Sequence, residues 1–95
     1  MNPPVFLEVI FQSADFRFAG RDEVEDPLDE ALQAAGFGEV TGGGTGSDSS
    51  NIDIELTDAA RGLPLVRRVL QELGVASSTV IIQRTPEHIV HRVYD

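Results

Sequence analysis

Three carboxylates at alternating positions of two strand-like segments are the side chains best suited to chemistry. Glu8 lies within VFLEVIFQ, and Asp53 and Glu55 lie within NIDIELT. Carboxylates held together beside apolar groups are a common way to raise one pKa for acid or base work. The same cluster could instead bind a divalent cation or an arginine-rich partner, or form an ordinary acidic surface. The outcome depends on whether the fold brings the two segments side by side.

Other routes to catalysis have little support in the sequence. The chain has no Cys, which excludes disulfides, thiolate nucleophiles and thiolate metal ligands. His88 and His91 have an i, i+3 spacing, but their segment is extended in character, and on a strand that spacing places two imidazoles on opposite faces. No G-x-S-x-G elbow occurs. We therefore expect no metal site, no cofactor and no hydrolytic triad.

Size and charge restrict the classes of partner. The 95 residues predict a single domain spanning residues 1–95. Sixteen acidic residues against seven basic ones give a formal net charge of -9, which repels nucleic acid and anionic membranes and attracts cationic partners. No apolar run approaches the ~20 residues of a membrane span, and no signal-peptide pattern opens the chain, so we expect a cytoplasmic protein without nucleic-acid or membrane partners.

Hydrophobic periodicity divides the chain into strands and helices. Period-two alternation, strictest at residues 51–57, predicts strands, and i, i+3, i+4, i+7 apolar spacing predicts helices. The predicted strands are Val5–Gln12 and residues 37–41, 51–57 and 79–84, with an extended tail at residues 88–94, and the predicted helices are residues 27–35 and 63–73. Their order predicts a ferredoxin-like βαββαβ sandwich of the α+β class, with an antiparallel sheet, two helices on one face and an extra C-terminal edge strand.

Two prolines are expected to mark where the helices begin. Asp26 can accept hydrogen bonds from the free amides of a first turn, and Pro27 at the first helical position loses no hydrogen bond. Pro64 would clash with an established turn behind it, so the second helix is expected to begin near Leu63. Gly36 can provide the left-handed cap that ends the first helix.

In this topology the first and third strands are neighbours at the centre of the sheet, and one sheet face stays uncovered. The apolar parity of the first strand is expected to face the helices. It consists of Val5, Leu7, Val9 and Phe11. The opposite parity then points to the uncovered face, and the same rule applies to the third strand. A binding surface is predicted there, made of Glu8, Asp53, Glu55, Phe6 and Ile10.

Residues 42–51 are interpreted as a ten-residue loop, because four of them are Gly and none is apolar. Such a loop is either a flexible connector or a recognition loop, and its length favours binding. Its candidate binding residues are Gly43, Gly44, Thr45 and Asp48. The run at residues 42–47 resembles the glycine-rich phosphate signature of tubulin-type GTP-binding proteins. A strand rather than a helix follows it, so we expect no nucleotide hydrolysis.

The hairpin region also resembles a protein family. The segment GEVTGGGT at Gly38–Thr45, followed by IDIEL at residues 52–56, is similar to a pattern in small uncharacterised bacterial ferredoxin-like proteins. The resemblance covers only this hairpin. It implies the same fold, and it implies no particular activity or site residue.

Two functions from different classes remain open. The first is a non-catalytic acidic module that engages a protein partner through the uncovered sheet face and the glycine-rich hairpin. A basic partner fits this charge, and an immunity-type protein that blocks a cationic toxin is one concrete version. The alternative is a small enzyme or metabolite-binding protein that uses Glu8 with Asp53 or Glu55 as a carboxylate pair and residues 42–50 as a lid. Because Phe6 and Ile10 would otherwise be exposed to water, the face is a candidate homodimer surface in both cases.

Overall fold

The order of elements in the structure is the one that the periodicity predicts. A computed structural model describes residues 3–94. Its strands are β1 (Val5–Gln12), β2 (Gly38–Thr45), β3 (Ser49–Leu56), β4 (Val80–Thr85) and β5 (Ile89–Arg92), and its helices are α1 (Asp22–Ala35) and α2 (Ala59–Leu73), with a short 3-10 turn at Ser13–Asp15. All neighbouring strands are antiparallel, in the order β2-β3-β1-β4-β5. The fold is ferredoxin-like βαββαβ with an extra edge strand.

Both helices pack on the sheet face that carries the apolar parity of β1. Leu7, Val9 and Phe11 are buried, and Val5 is partly buried against them, as predicted. The rest of the buried apolar core comes from the helices, the neighbouring strands and the segments that follow them: Val24, Leu28, Leu32, Ile52, Ile54, Leu56, Val66, Val69, Leu70, Val75, Ile81 and Val93. Since both helices lie on this side of the sheet, no helix of residues 3–94 covers the opposite side.

Helix α1 begins earlier than the sequence predicts. The expected start at Asp26 and Pro27 is wrong, because Pro27 lies inside the helix. The preceding turn is stabilised by Glu23, whose Oε2 accepts hydrogen bonds from the backbone N–H groups of Ala19 at 2.6 Å and Gly20 at 3.3 Å. A proline this close to the helix N-terminus removes only one backbone hydrogen bond, so the earlier turn can form in front of it.

Helix α2 shows the same difference. It begins at Ala59, not near Leu63, and it contains Pro64. Asp58 caps it, since the carboxylate Oδ1 accepts a hydrogen bond from the backbone N–H of Arg61 at 3.1 Å. This hydrogen bond satisfies a free backbone N–H group of the first turn, so the helix can begin before Pro64.

The expected ten-residue loop at residues 42–51 is also wrong. Residues 42–45 belong to β2 and pair with β3, so the connection is only residues 46–48. The backbone N–H of Gly46 donates to the carbonyl oxygen of Ser49 at 2.8 Å and closes the hairpin. Composition suggested a loop, but sheet pairing uses backbone groups that glycine also has. The hairpin is confirmed, and residues 42–45, part of the lid in the enzymatic alternative, belong to a paired edge strand.

Gly43 is required where it lies because the backbone of β3 and the Arg21 side chain of α1 both approach it closely. A Cβ atom at Gly43 would lie 2.6 Å from the carbonyl oxygen of Asn51 and 2.9 Å from Nε of Arg21. Nη1 of Arg21 donates to Oγ1 of Thr45 at 2.7 Å, and its Nε lies 3.2 Å from Oε2 of Glu25. The Arg21 side chain therefore passes directly over the glycine backbone and connects α1 to β2.

Asp29 makes a second connection between α1 and β2. Its Oδ2 accepts a hydrogen bond from Nε2 of Gln33 at 2.8 Å, and its Oδ1 accepts one from the backbone N–H of Val40 at 2.9 Å. The hydrogen bond from Gln33 and, to a smaller extent, the one from Val40 lower the pKa of Asp29 below its ordinary value of 3.8. The carboxylate of Asp29 therefore satisfies a backbone N–H group of the edge strand β2.

The tail after Pro86 forms the edge strand β5, so the extended character predicted for residues 88–94 is confirmed for Ile89–Arg92. The segment after β5 returns to the helix layer. Oη of Tyr94 donates to the carbonyl oxygen of Val75, and Nε2 of Gln71 donates to that of Val93, each at 2.6 Å. These contacts fix β5 beside β4.

Replacing Gly43 with Ala should destabilise the protein, whereas replacing Gly42 with Ala should not. The nearest atom to a Cβ at Gly42 is Oδ2 of Asp53 at 3.8 Å, which is an ordinary contact. We expect Gly43→Ala to lower the free energy of unfolding by about 1–3 kcal/mol and Gly42→Ala to change it by less than about 0.5 kcal/mol. Urea unfolding measures both values, and equal effects would contradict the close approach of Arg21.

The lowered pKa of Asp29 should make stability depend on pH in the acid range. Because the folded pKa lies below the unfolded one, the contribution of Asp29 is fully present above the unfolded pKa and is lost as pH falls through the folded pKa. The difference in unfolding free energy between the wild type and Asp29→Asn should therefore be constant near neutral pH and shrink in strong acid. Urea unfolding from neutral to strongly acidic pH measures it. The charge-matched control is Asp26→Asn at an exposed position of α1, and an equal trend in both variants would contradict the role of the two hydrogen bonds to Asp29.

Candidate functional site

The uncovered side of the sheet carries the candidate site, and we call it the open face. Pair registers and side-chain contacts define its members. They are Glu39, Gly42 and Gly44 of β2, Asn51, Asp53 and Glu55 of β3, Phe6, Glu8 and Ile10 of β1, Val80, Ile82 and Arg84 of β4, and Val90 and Arg92 of β5. The five residues predicted for this surface, Glu8, Asp53, Glu55, Phe6 and Ile10, lie together on it.

Glu8 and Asp53 are direct neighbours across β1 and β3, but different groups engage their carboxylates. They are Cα partners in the sheet register. Oε1 of Glu8 accepts hydrogen bonds from Nη2 of Arg84 and, at 2.9 Å, from its Nε. Oδ1 of Asp53 accepts one from Nδ2 of Asn51 at 3.0 Å. The two carboxylates are therefore held by separate partners.

The β2–β3 end of the open face is acidic. Glu39 and Glu55 are Cα partners, and Asp53 lies two residues from Glu55 on the same face. Within the part of the chain that the structure describes, no basic side chain forms an ion pair with these three carboxylates. Like charges directly opposite each other in a sheet are destabilising, so this end of the face would gain from a positive group brought from outside.

Apolar side chains cover the middle and the other end of the open face. Phe6 is 40% exposed and Val90 is 58% exposed. Ile10, Val80 and Ile82 are half-buried beside them. Between the ring of Phe6 and the acidic end lies a depression of about 380 Å³, lined also by Glu8, Thr41, Asn51, Asp53 and Arg84. The face thus combines apolar area with a polar recess.

The predicted hairpin residues do not form one surface. Gly44 lies on the open face beside Asn51, whereas Gly43 and Thr45 lie on the helix side under Arg21. Asp48 is exposed in the connection, and its carbonyl oxygen accepts a hydrogen bond from the backbone N–H of Ser13 at 2.9 Å. Only Gly44 therefore belongs to the same surface as the acidic residues.

Two arginines of the open face were not among the residues predicted from the sequence. Arg84 and Arg92 lie on β4 and β5, and Arg84 forms the ion pair with Glu8. A signal was present in the sequence, because Val80, Ile82 and Arg84 share one parity of their strand. That parity could not be assigned to a face without knowing which residue of β1 it pairs with.

Metal binding and membrane insertion gain no support from residues 3–94. These residues contain no group of three or more His, Asp or Glu side chains arranged to hold a metal ion. His91 lies on the helix side of the sheet opposite Ile81, and its buried Nε2 has no hydrogen-bond partner among them. Neither α1 nor α2 has the length and apolar character that crossing a lipid bilayer requires.

Comparison with protein-family models, with curated proteins and with solved structures found no match for this chain. The resemblance of the hairpin to bacterial ferredoxin-like proteins therefore stays a prediction.

The ion pair between Glu8 and Arg84 should contribute measurably to stability. Its side chains are 21% and 48% exposed, so a double-mutant cycle with Glu8→Gln and Arg84→Gln should give a coupling of roughly 0.5–1 kcal/mol. The control is Arg68 with Glu72 on α2, whose Nε and Oε1 lie 3.8 Å apart with both side chains well exposed. Its coupling should be about 0.3 kcal/mol. A Glu8–Arg84 coupling no larger than the control would contradict the geometry.

Proposed function

We propose that this protein is a binding module whose open face engages a protein partner, and that the partner brings positive charge to the acidic end. The observation that carries the proposal is the exposed ring of Phe6 beside carboxylates that have no basic partner among the described residues. The enzymatic alternative would use Glu8 with Asp53 or Glu55 as a carboxylate pair beside the recess. The open face offers a broad surface, and its two central carboxylates are bound to separate partners.

The apolar part of the open face supports binding to a protein. Ile10, Val80, Ile82 and Val90 occupy neighbouring register positions on three adjacent strands and form one patch, and Phe6 lies on the same face beyond the Glu8–Arg84 ion pair. Contiguous exposed apolar area rimmed by polar groups is typical of protein interaction sites. Its burial contributes roughly 25 cal/mol per Å² of apolar surface removed from water.

The acidic part of the face supports a partner with basic groups at its contact surface. Glu39 and Glu55 repel each other across the β2–β3 pair. A guanidinium or ammonium group placed between them would remove that repulsion and add charge-assisted hydrogen bonds. The overall charge of -9 would also attract such a group at a distance.

The test compares capture by open-face and helix variants. A tagged protein is used to capture partners from a native lysate of the source cells, as wild type, as Asp53→Asn/Glu55→Gln, and as Asp26→Asn/Glu30→Gln. The helix variant removes the same charge from exposed positions of α1. We expect the open-face variant to lower partner recovery by about tenfold or more and the helix variant to leave it unchanged.

Two results would contradict the proposal. One is a partner recovered equally well by all three proteins. The other is a partner lost only with the α1 variant, which would place the binding surface on the helices. Circular dichroism of each variant checks that the fold is intact.

A further inference from the structure

The two ends of the open face carry opposite charges. Glu39, Asp53 and Glu55 lie on β2 and β3, whereas Arg84 and Arg92 lie on β4 and β5. We propose that the protein covering this face is a second copy of the same chain, an inference that rests on the proposed function. Each copy then supplies the positive charge that the acidic end of the other lacks.

A two-fold axis parallel to the strands, between the two facing sheets, produces this arrangement. Rotation about that axis reverses the strand order, so β2 and β3 of one copy lie over β5 and β4 of the other, and β1 lies over β1. Such an interface is self-complementary, and every contact off the axis occurs twice. A two-fold axis across the strands would instead place each strand over its own counterpart and bring the acidic strands together.

The sheet register places complementary charges at the same level. Glu55 is the Cα partner of Phe6, and Phe6 is in turn the partner of Thr85, next to Arg84. Glu55 and Arg84 therefore lie at nearly the same height on opposite sides of β1. The two-fold rotation brings Glu55 of one copy over Arg84 of the second copy, and the reverse contact forms as well.

The other end of the strands has space for the second arginine. Gly44 pairs with Asn51, Asn51 with Ile10, Ile10 with Val80, and Val80 with Arg92, so these residues form one level across the sheet. In the dimer, Arg92 on β5 of the second copy lies opposite Gly44 on β2. Glycine has no side chain there, which leaves room for a guanidinium group.

The residues of β1 lie on the axis and meet their own counterparts. Phe6 and Ile10 bury their exposed area against the same residues of the second copy, which supplies an apolar centre. Glu8 also lies near the axis, and two facing carboxylates would repel. Arg84 of the same chain binds Glu8 through Nε and Nη2, which reduces that repulsion and leaves Nη1 to reach Glu55 of the second copy.

The high negative charge of the chain does not prevent this association. Helix α1 carries six acidic residues, Asp22, Glu23, Glu25, Asp26, Asp29 and Glu30, and it lies on the opposite side of the sheet. The open face is much closer to neutral. In the dimer the two α1 helices are separated by both sheets, a distance well beyond the Debye length of about 8 Å at physiological ionic strength.

The size of the face predicts a reversible dimer. Five strands about 4.8 Å apart and up to eight residues at about 3.3 Å per residue give a face of roughly 500 Å² in plan. Stable interfaces bury about 800 Å² per partner. The dimer should therefore dissociate on dilution, and its measurement requires a range of concentrations.

Charge reversal with complementation tests the inference. Sedimentation velocity of the full chain is measured from about 1 μM to about 500 μM for the wild type, Glu55→Arg, Glu8→Gln/Arg84→Glu, and an equimolar mixture of the two variants. The Glu8 change prevents a new repulsion within the second variant. We expect each variant alone to raise the dimer Kd at least about tenfold and the mixture to restore dimers. Glu30→Arg, an equal charge change on α1, should leave the Kd unchanged.

A measurement on the wild type covers the case in which a variant fails to fold. Dilution should shift the NMR amide signals of β1, β3 and β4 residues on the open face and leave those of α1 unchanged. A chain that stays monomeric over the whole range, or a mixture that does not restore dimers, would overturn the inference. If the wild type is monomeric while Asp53→Asn/Glu55→Gln loses a different captured protein, only the second-copy inference fails. If capture is also insensitive to that variant, the proposed function fails with it.

Discussion

The side-chain alternation of β1 is the constraint on which the rest of the structure depends. β1 is the central strand, and Leu7, Val9 and Phe11 on one parity are buried under both helices. A shift of one residue would expose these three side chains and bury Glu8, at a cost that the small core could not offset. The composition of the open face is therefore a consequence of core packing. Glu8 faces outward because its neighbours must face inward.

Edge strand β2 depends on α1 for its position. It has only one sheet neighbour, and its three consecutive glycines contribute no side-chain packing. Arg21 reaches over Gly43 to Thr45, and Asp29 occupies the backbone N–H of Val40. These contacts replace the cross-strand side-chain pairs that normally stabilise an edge. Gly42 and Gly44 lie on the open face and Gly43 on the helix side.

Two features of the open face are unfavourable in a single chain. Glu39 and Glu55 are opposed like charges, and Phe6 and Val90 are exposed apolar groups. Water can solvate the carboxylates but gains nothing from the apolar side chains. A protein surface with apolar groups at its centre and a basic group at its rim would satisfy both. In the proposed dimer, Arg84 and the apolar side chains of the second copy would supply both groups.

The sequence by itself determined the β1 bounds, the order of elements, the left-handed cap at Gly36 and the outward direction of Glu8, because each follows from periodicity or from local backbone chemistry. It did not determine the helix starts, since Glu23 binds the turn before α1 and Asp58 caps α2, and both helices begin before their prolines. It also did not reveal that residues 42–45 are a strand, because pairing with β3 and contact with α1 are long-range. Only the tertiary structure placed Arg84 beside Glu8, since their positions are 76 residues apart and the register between β1 and β4 is set by the packing of the whole core.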